Sequence, residues 1–545
     1  MIKMFKKKEE DAAAFVVLLF ILLAALALRV VGAWDGYPLV LHPDESITVS
    51  RAARMLNSGN FNPEGFNYPS LVTYIQLVVR YVLSTAAKVF SGVISFQGVD
   101  FYVADRIVAA VAATLSILMV YLTARRLFSV SAGIFAAAVV ALCTLHVSLS
   151  ALTTVDIWVA VFAAFVLYFC VRLYEDGTLK NYLLAGVCVG LATGSKYTGA
   201  VFFIGVLVAH TLRQGSVRRV LSDVKKLALS ALASAVVFFM TTPYALLDSE
   251  RFLADVASEG RHYRSGHAGY EAAGSHSWGL YADFLLSDAG LGMVFFMLAL
   301  AGVVLALRTA RTGGGYRTLF IALSLPVALF IFVGYYKVYF VRNIVGVVPG
   351  LAIAAGATAQ AAGSWLASRT GKMWVENLLM ALLFVAGACQ PLHESIQLVR
   401  DKTLPNTRWL AFPWIRSNIP DGSTVLVSRY APPIALYDKR LKQLNFNFSR
   451  ADWPKIESSV DFVIVSSCEY GRYFNNDGTA HEQYRRQASL WQDFFNSYEL
   501  LHEIAPEKNI STGGIIRIYR NAPPQQGKAN VQGSWDVRTR CPGAM

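Results

Sequence analysis

The sequence predicts a polytopic α-helical membrane protein of about eleven spans that ends in a soluble α/β domain. Three observations carry that prediction. The 545 residues are 55% hydrophobic and only 16% charged, with a mean hydropathy of +0.44. The apolar residues come in long blocks, as helices surrounded by lipid require. From about Trp409 the pattern changes to short strand-like runs with helical stretches between them. The net charge of +13 calls for no nucleic acid, because much of the Lys and Arg lies in short loops between blocks, where the positive-inside rule puts it.

Ala12 to Val31 is long enough as a helix to cross roughly 30 Å of hydrocarbon. Lys3, Lys6, Lys7 and Lys8 hold its start on the cytoplasmic side. Arg29 and the lack of a small-residue cleavage site make it a retained helix rather than a signal peptide. Further spans are expected at Phe101–Tyr121, Ser131–Leu149, Ile157–Tyr174, Asn181–Thr193, Gly199–Leu212, Leu227–Thr242, Leu291–Leu307, Leu319–Gly334, Ile344–Gly356 and Val375–Ala388. Ser70–Phe90 is nearly apolar enough to join them but carries Gln76, Arg80 and Lys88. If it crossed, Arg125, Arg126 and every later basic loop would lie outside, so it is expected to be an interfacial helix.

That choice puts the N-terminus in and the C-terminus out. The expected domains are 1–391, a transmembrane domain with outward loops at 32–100 and 243–288; 392–520, an extracytoplasmic α/β domain; and 521–545, a disordered tail. Strands are expected at Thr424–Ser428, Asp461–Ser466, Glu499–Ile504 and Gly514–Tyr519, with a helix at His481–Tyr498. Cys143, Cys170, Cys188 and Cys389 lie in or at the ends of spans. Cys468 and Cys541 are free to pair if the last segment is outside. No CxxC or HExxH occurs, so no structural zinc site is signalled.

The candidates for chemistry stand at the outer ends of spans. His42-Pro43-Asp44-Glu45 sets an acidic pair at the membrane surface, within reach of a lipid headgroup. Pro-Asp-Glu is equally a common helix start, its acids favoured by the helix dipole. Asp156 opens an apolar block, where a buried charge costs about 2.5–3.5 kcal/mol on insertion scales. Beside Thr153 and Thr154 it is also a helix N-cap, and the two roles are compatible. Lys196-Tyr197 is an outward cation against the inside-positive trend; a phosphate partner and snorkelling to the interface each explain it. The loop 243–288 gathers Glu259, Arg261, His262, Arg264, His267 and His276, a mixture that suits a lipid phosphate, a sugar hydroxyl network or plain solvation. Lys337 and Arg342, interleaved with aromatic residues, read as an interface belt.

In their order along the chain these residues resemble the GT-C superfamily of integral-membrane glycosyltransferases, in its protein O-mannosyltransferase and aminoarabinose-transferase branch. The resemblance rests on Asp44-Glu45 with the following Ala52-Ala53-Arg54-Met55-Leu56 and Gly59, on Tyr68-Pro69-Ser70-Leu71, and on Asp156. It continues through Gly194–Tyr197, Arg342 with Pro349, and the segment from Trp414-Ile415 to Ile419-Pro420-Asp421-Gly422-Ser423. It spans nearly the whole chain. The aminoarabinose-transferase pattern has Glu-Lys before the Pro of the second motif, where Asn67-Tyr68 stand here. That removes a metal ligand and a lipid-phosphate cation. The Trp-Trp-Asp motif of oligosaccharyltransferase catalytic subunits is missing, and Ser534-Trp535-Asp536 in the tail is no substitute.

The resemblance implies inverting transfer of a hexosyl or pentosyl unit from a polyprenyl-phosphate lipid to a hydroxyl of a protein, lipid or glycan. The implied place is the outer face of the cell (inner) membrane. Asp44 is implied as general base, with Glu45 and Asp156 orienting the acceptor or sharing the hydrogen bonds of the base. Cations serve the leaving phosphate, Lys196 first, then Arg261 and Arg264. Tyr68, Tyr197, His262, His267 and Arg342 complete the substrate-binding set. No cofactor is implied outright, and a divalent metal stays open. The rival reading is a lipid or glycan transporter or flippase; against it, the charges cluster at outer ends and no broken helix pair or repeated half is visible. A third is a scaffold that binds a partner through the α/β domain.

Overall fold

The computed structural model describes residues 2–89, 101–215, 223–312, 315–438, 440–446, 460–474 and 479–521. Positions 522–545, with Cys541 and Ser534-Trp535-Asp536, lie outside the described residues. Among the described residues eight helices are long and apolar enough to cross a membrane, or nine if the bent pair Val130–Leu142 (α5) and Thr144–Ser150 (α6) forms one span. Two further expected spans fall on the shorter helices Leu179–Ser195 (α8) and Phe203–Gln214 (α9). Every expected span thus meets a helical segment, and the chain is a multi-pass membrane protein.

The stretch between the first two spans decides where the polar loops lie. Arg106, early in α4 (Phe101–Leu127), donates to the carbonyls of Ala33 (3.0 Å) and Asp35 (2.9 Å), just beyond the end of α1 (Ile2–Val31). The first span therefore ends where α4 begins. The described residues between them, including α2 (Pro43–Ser58) and α3 (Leu71–Val89), stay on one side of the bundle. Helix α3 turns its polar residues inward. Gln76 donates to Thr153 Oγ1 (2.7 Å) and Thr48 Oγ1 (3.1 Å), and Arg80 pairs with Asp105 (3.5 Å). Val78, Tyr81 and Val82 face outward. This is the placement expected of an interfacial helix.

Two devices hold the bundle together without help from water. Gly186, Gly190 and Gly194 form a stripe along α8 that meets the helix Val224–Thr241. A β-carbon at Gly186 would stand 2.1 Å from the carbonyl oxygen of Ser230, and one at Gly190 2.6 Å from that of Ser234. Small residues let these backbones approach where lipid tails supply no hydrophobic drive. The second device is at Cys143, where α5 and α6 bend by 60° and the last carbonyls of α5 lose their helical partners. The fully buried Arg29 reaches across from α1 to the carbonyls of Val140 and Ala141 (3.2 Å each) and to His146 Nδ1 (2.9 Å). Arg29→Met is expected to lower stability by about 1–3 kcal/mol through those unmet groups, read as a lower unfolding midpoint in detergent. An unchanged midpoint would mean that the bend is held by packing alone.

The C-terminal sheet has the order β2-β1-β3-β5-β4. Strands β1 (Thr424–Ser428), β2 (Lys442–Phe446) and β3 (Phe462–Ser466) are parallel, whereas β5 (Ile516–Arg520) runs antiparallel to both of its neighbours, β3 and β4 (Glu499–Ile504). Strand β2 was not expected: Lys-Gln-Leu-Asn-Phe is an edge strand, too polar to show a run of apolar residues. One face of the sheet buries Ile464, Ile516 and Ile518 against Phe412 and Ile415 of the helix Thr407–Asn418. The same core takes in Leu39 and Leu41 from the stretch between α1 and α2. Tyr437 Oη donates to the Pro38 carbonyl (2.9 Å) nearby. Cys468 is disulfide-bonded; its expected partner Cys541 lies outside the described residues. Cys143, Cys170, Cys188 and Cys389 are free thiols.

Candidate active site

Asp44 owes its position to a helix start. His42 is the N-cap of α2, and its Nδ1 accepts the Asp44 N–H (3.2 Å). Burial holds the His42 imidazole below its ordinary pKa despite the charge of Asp44, which leaves the ring neutral and able to accept. Pro43, with no N–H to satisfy, suits the first helical position. The Asp44 carboxylate is partly open to the outside. Its Oδ2 takes Arg342 Nη2 at 3.0 Å and the Tyr68 hydroxyl at 3.4 Å. Burial, followed by the charge of Asp44, raises Tyr68 well above the ordinary phenol pKa, so the neutral phenol is the donor.

Three spans complete the cluster. Asp156 begins α7 (Asp156–Asp176), Lys196 follows the end of α8, and Arg342 and Asn343 open the segment that runs into the helix Val348–Thr370. Lys196 Nζ donates to Asp156 Oδ1 and to Asn343 Oδ1, both at 2.6 Å. Arg342 Nε lies 3.8 Å from Asp156 Oδ2 and stacks its guanidinium 4.1 Å from the centre of the Phe340 ring. Two carboxylates and two cations therefore alternate at the lip of the bundle, with Arg342 shared between the acids. Each charge so placed has an opposite partner, which offsets part of the cost of taking it out of water.

Not every expected residue joins them. Glu45, next to Asp44 in sequence, points the other way. It is fully buried and meets Arg106 through two bonds of 2.8 and 2.7 Å, and it accepts the Thr153 N–H (2.9 Å). Burial opposes its charge, but Arg106 outweighs burial and holds the carboxyl below its ordinary pKa. Tyr197 donates to the Phe66 carbonyl (2.8 Å) and so braces the loop that carries Tyr68. In the helix Ser249–Ser265, Arg261 and Arg264 are exposed, while Glu259, His262 and Tyr263 are partly buried. Tyr263 donates to Asn343 Oδ1 (3.4 Å). Burial raises Glu259 above the ordinary carboxylate range despite His262 and Lys196.

His267 stacks on His262 (5.2 Å between ring centres) and stands edge-on to Phe340 (5.2 Å). Burial, His262, Arg472 and Arg342 bring its pKa from 6.5 down to about 4. The folded value lies below the unfolded one, so this contribution to stability is present above pH 6.5 and is lost as pH falls through 4. His267→Gln should flatten that part of an unfolding-temperature profile. If the variant keeps the wild-type acid limb, another group is responsible.

Asn343 and Tyr263 are the members that reading the sequence did not name, and Glu259 was named with its loop but given no role of its own. Asn343 and Tyr263 are neither acidic nor basic residue types that would draw notice at a span end, and Glu259 becomes distinct only once its helix is known. Among the described residues no three His, Cys, Asp or Glu side chains lie close enough to share a metal ion. Both carboxylates of the cluster are already held by cations, and Asn67 Oδ1 accepts from Arg51 (2.7 Å). These residues do not fit a resident divalent ion.

Residues 77–244, which include Asp156 and Lys196 but neither Asp44 nor Arg342, match the family model described as dolichyl-phosphate-mannose-protein mannosyltransferase. No curated protein sequence matches the chain. Its structure is similar to that of ArnT from Cupriavidus metallidurans in the apo state, with a TM-score of 0.57 at 17% identity over 94% of this chain and 100% of that one. The same protein bound to undecaprenyl phosphate gives 0.52 at 16% identity, over 95% and 99%. AglB, the oligosaccharyltransferase of Archaeoglobus fulgidus, in complex with an inhibitory peptide and a dolichol-phosphate, gives 0.54 at 14% identity, over 92% and 80%. The chain has the fold of the GT-C superfamily of membrane glycosyltransferases.

Proposed function

We propose that the protein is an inverting glycosyltransferase that moves a monosaccharide from a polyprenyl-phosphate lipid to an acceptor hydroxyl at the outer face of the membrane. One observation carries the reading: a partly open carboxylate, Asp44, paired with the half-buried Arg342 and, through Asp156, with the buried Lys196 at the lip of a lipid-facing bundle. The outward orientation rests on the basic inner loops and the Lys-rich N-terminus. The matched family model and the lipid-phosphate complexes of the two similar proteins support the class of donor.

The acceptor oxygen attacks the anomeric carbon, and Asp44 takes its proton. The bond from that carbon to the phosphate oxygen breaks, and polyprenyl phosphate departs with the electron pair and an added negative charge. A leaving phosphate needs cations more than it needs an acid. Arg342 already bridges Asp44 and Asp156, so an arriving phosphate competes for it and frees Asp44 to act as base. Lys196 supplies the second positive charge, held in place by Asp156 and Asn343. Glu45 is a positioning residue through Arg106, whereas Arg261 and Arg264 lie on the open side of their helix.

The test is incubation of the purified protein with a panel of polyprenyl-phosphate monosaccharides and a crude acceptor extract. Released polyprenyl phosphate with sugar on the acceptor is expected for at least one donor. No release from any donor would overturn the reading and favour a transporter or scaffold.

A further inference from the structure

A second cationic centre stands on the sheet domain. Strands β1 and β3 are parallel and leave the sheet at the same edge, where α/β sheets place their ligands. Arg429 and Tyr430 follow β1 directly, and Arg472 lies on the short helical turns after β3. Arg408, from the first turn of the helix Thr407–Asn418, joins them. The three guanidiniums lie 5.8 Å (Arg408), 5.9 Å (Arg429) and 5.6 Å (Arg472) from the centre of the Tyr430 ring.

Their charges are poorly met. Arg408 is only 6% exposed, and its Nη2 has just the Leu41 carbonyl at 3.5 Å. Burial, partly offset by Tyr430 and Asp35, brings its pKa down to about 10. Arg472 donates to the Cys468 carbonyl (3.1 Å), while its Nε is buried without a partner. The nearby carboxylate, Glu469, accepts the backbone N–H of Arg429 (3.0 Å). Burial raises it above the ordinary carboxylate range, against Ser428 and the arginines. Three positive charges, of which only that of Arg408 is fully buried, thus have the reluctant Glu469 and the more distant Asp35 as their acidic neighbours. Buried unpaired charge is costly unless something of opposite sign completes it.

The centre also has a path to the cluster at the bundle lip. Arg472 lies 5.7 Å from the Tyr270 ring, Tyr270 is 5.5 Å from Phe340, and Phe340 carries Arg342. From this geometry we infer that Arg408, Arg429 and Arg472 form an oxyanion site for a phosphate or carboxylate group of the acceptor. The oxyanion site rests on the geometry alone. Its assignment to the acceptor rests on the glycosyl-transfer reading, under which the lipid phosphate takes the membrane-level cations. An acceptor anchored by its anion on the sheet would present a hydroxyl across the aromatic bridge to Asp44.

Binding to the full-length protein in detergent tests this apart from any turnover. Inorganic phosphate is titrated at constant ionic strength, with acetate as a second arm, and the rise in unfolding temperature is followed. Phosphate should stabilise the wild type, and Arg429→Gln combined with Arg472→Gln should weaken the apparent affinity roughly tenfold or more, the loss expected for charge-assisted bonds. An equal response to acetate would assign a carboxylate, and a response to phosphate alone a phosphate. Arg429→Gln by itself, at an exposed position, gives a smaller loss and serves if the double variant does not fold. Unaltered phosphate stabilisation in these variants would overturn the site, as would no stabilisation of the wild type. Failure of every sugar donor would instead remove only the acceptor assignment.

Discussion

Asp44→Asn is expected to lower turnover by about 10²–10⁴-fold, the usual contribution of a positioned base, with the protein still folded. The substitution keeps the shape of the side chain and the acceptor oxygen that Arg342 and Tyr68 address. It removes the proton acceptor and one of the two negative charges that Arg342 bridges. The unfolding midpoint should therefore move little, because Arg342 still has Asp156 and Asn343 remains bonded to Lys196. The measurement is release of polyprenyl phosphate by wild type and variant, with melting profiles recorded alongside. Equal release by two equally folded proteins would rule out Asp44 as the base.

Glu45→Gln or Arg106→Met should be the most damaging substitution for stability, by about 3–5 kcal/mol, because either leaves one member of a buried ion pair without its partner. Here the pair also does architectural duty. Arg106 ties together the end of α1, the start of α2 and its own helix α4, and Glu45 adds the Thr153 N–H before Asp156. Loss of either member should thus also lower turnover, since both Asp44 and Asp156 sit one residue or one turn away. Removing both charges together, with Glu45→Leu and Arg106→Leu, should recover part of the stability but not the activity. Melting and turnover of all three variants check this; additive stability losses would mean that the two residues act independently.

Much of the site was legible because polar residues at span ends are rare and costly. Asp156 and Lys196 each stood out against an apolar background, whereas Arg342 read as part of an interface belt and entered only through the resemblance; the structure brings them together with Asp44 and Tyr68. Adjacency misled where helices intervene. Asp44 and Glu45 are neighbours in sequence, but consecutive side chains on a helix point about 100° apart, so one faces the cluster and the other α4. The same periodicity separates His262 and Tyr263 from Arg261 and Arg264; a helical reading of Ser249–Ser265 would have sorted them. Asn343 offered no signal, since an uncharged amide at a span end is unremarkable until Lys196 is found beside it. Arg408, Arg429 and Arg472 come from three separate elements; the parallel pairing of β1 with β3 collects the last two, and the packing of the helix Thr407–Asn418 against the sheet adds Arg408.

The loop that leads to Asp44 is among the first parts of the chain to be made, yet its cover is among the last. Leu39 and Leu41 wait in the apolar core of the sheet domain for Ile516 and Ile518 of the final strand. Synthesis runs at roughly 5–20 residues per second and segments fold as they emerge, so all the spans can insert well before this core closes. A chain interrupted ahead of β5 would sit in the membrane with its helices complete and its leading loop uncovered. The protein is in this sense finished from its far end, since the loop that leads to Asp44 gains its full cover only when β5 is in place.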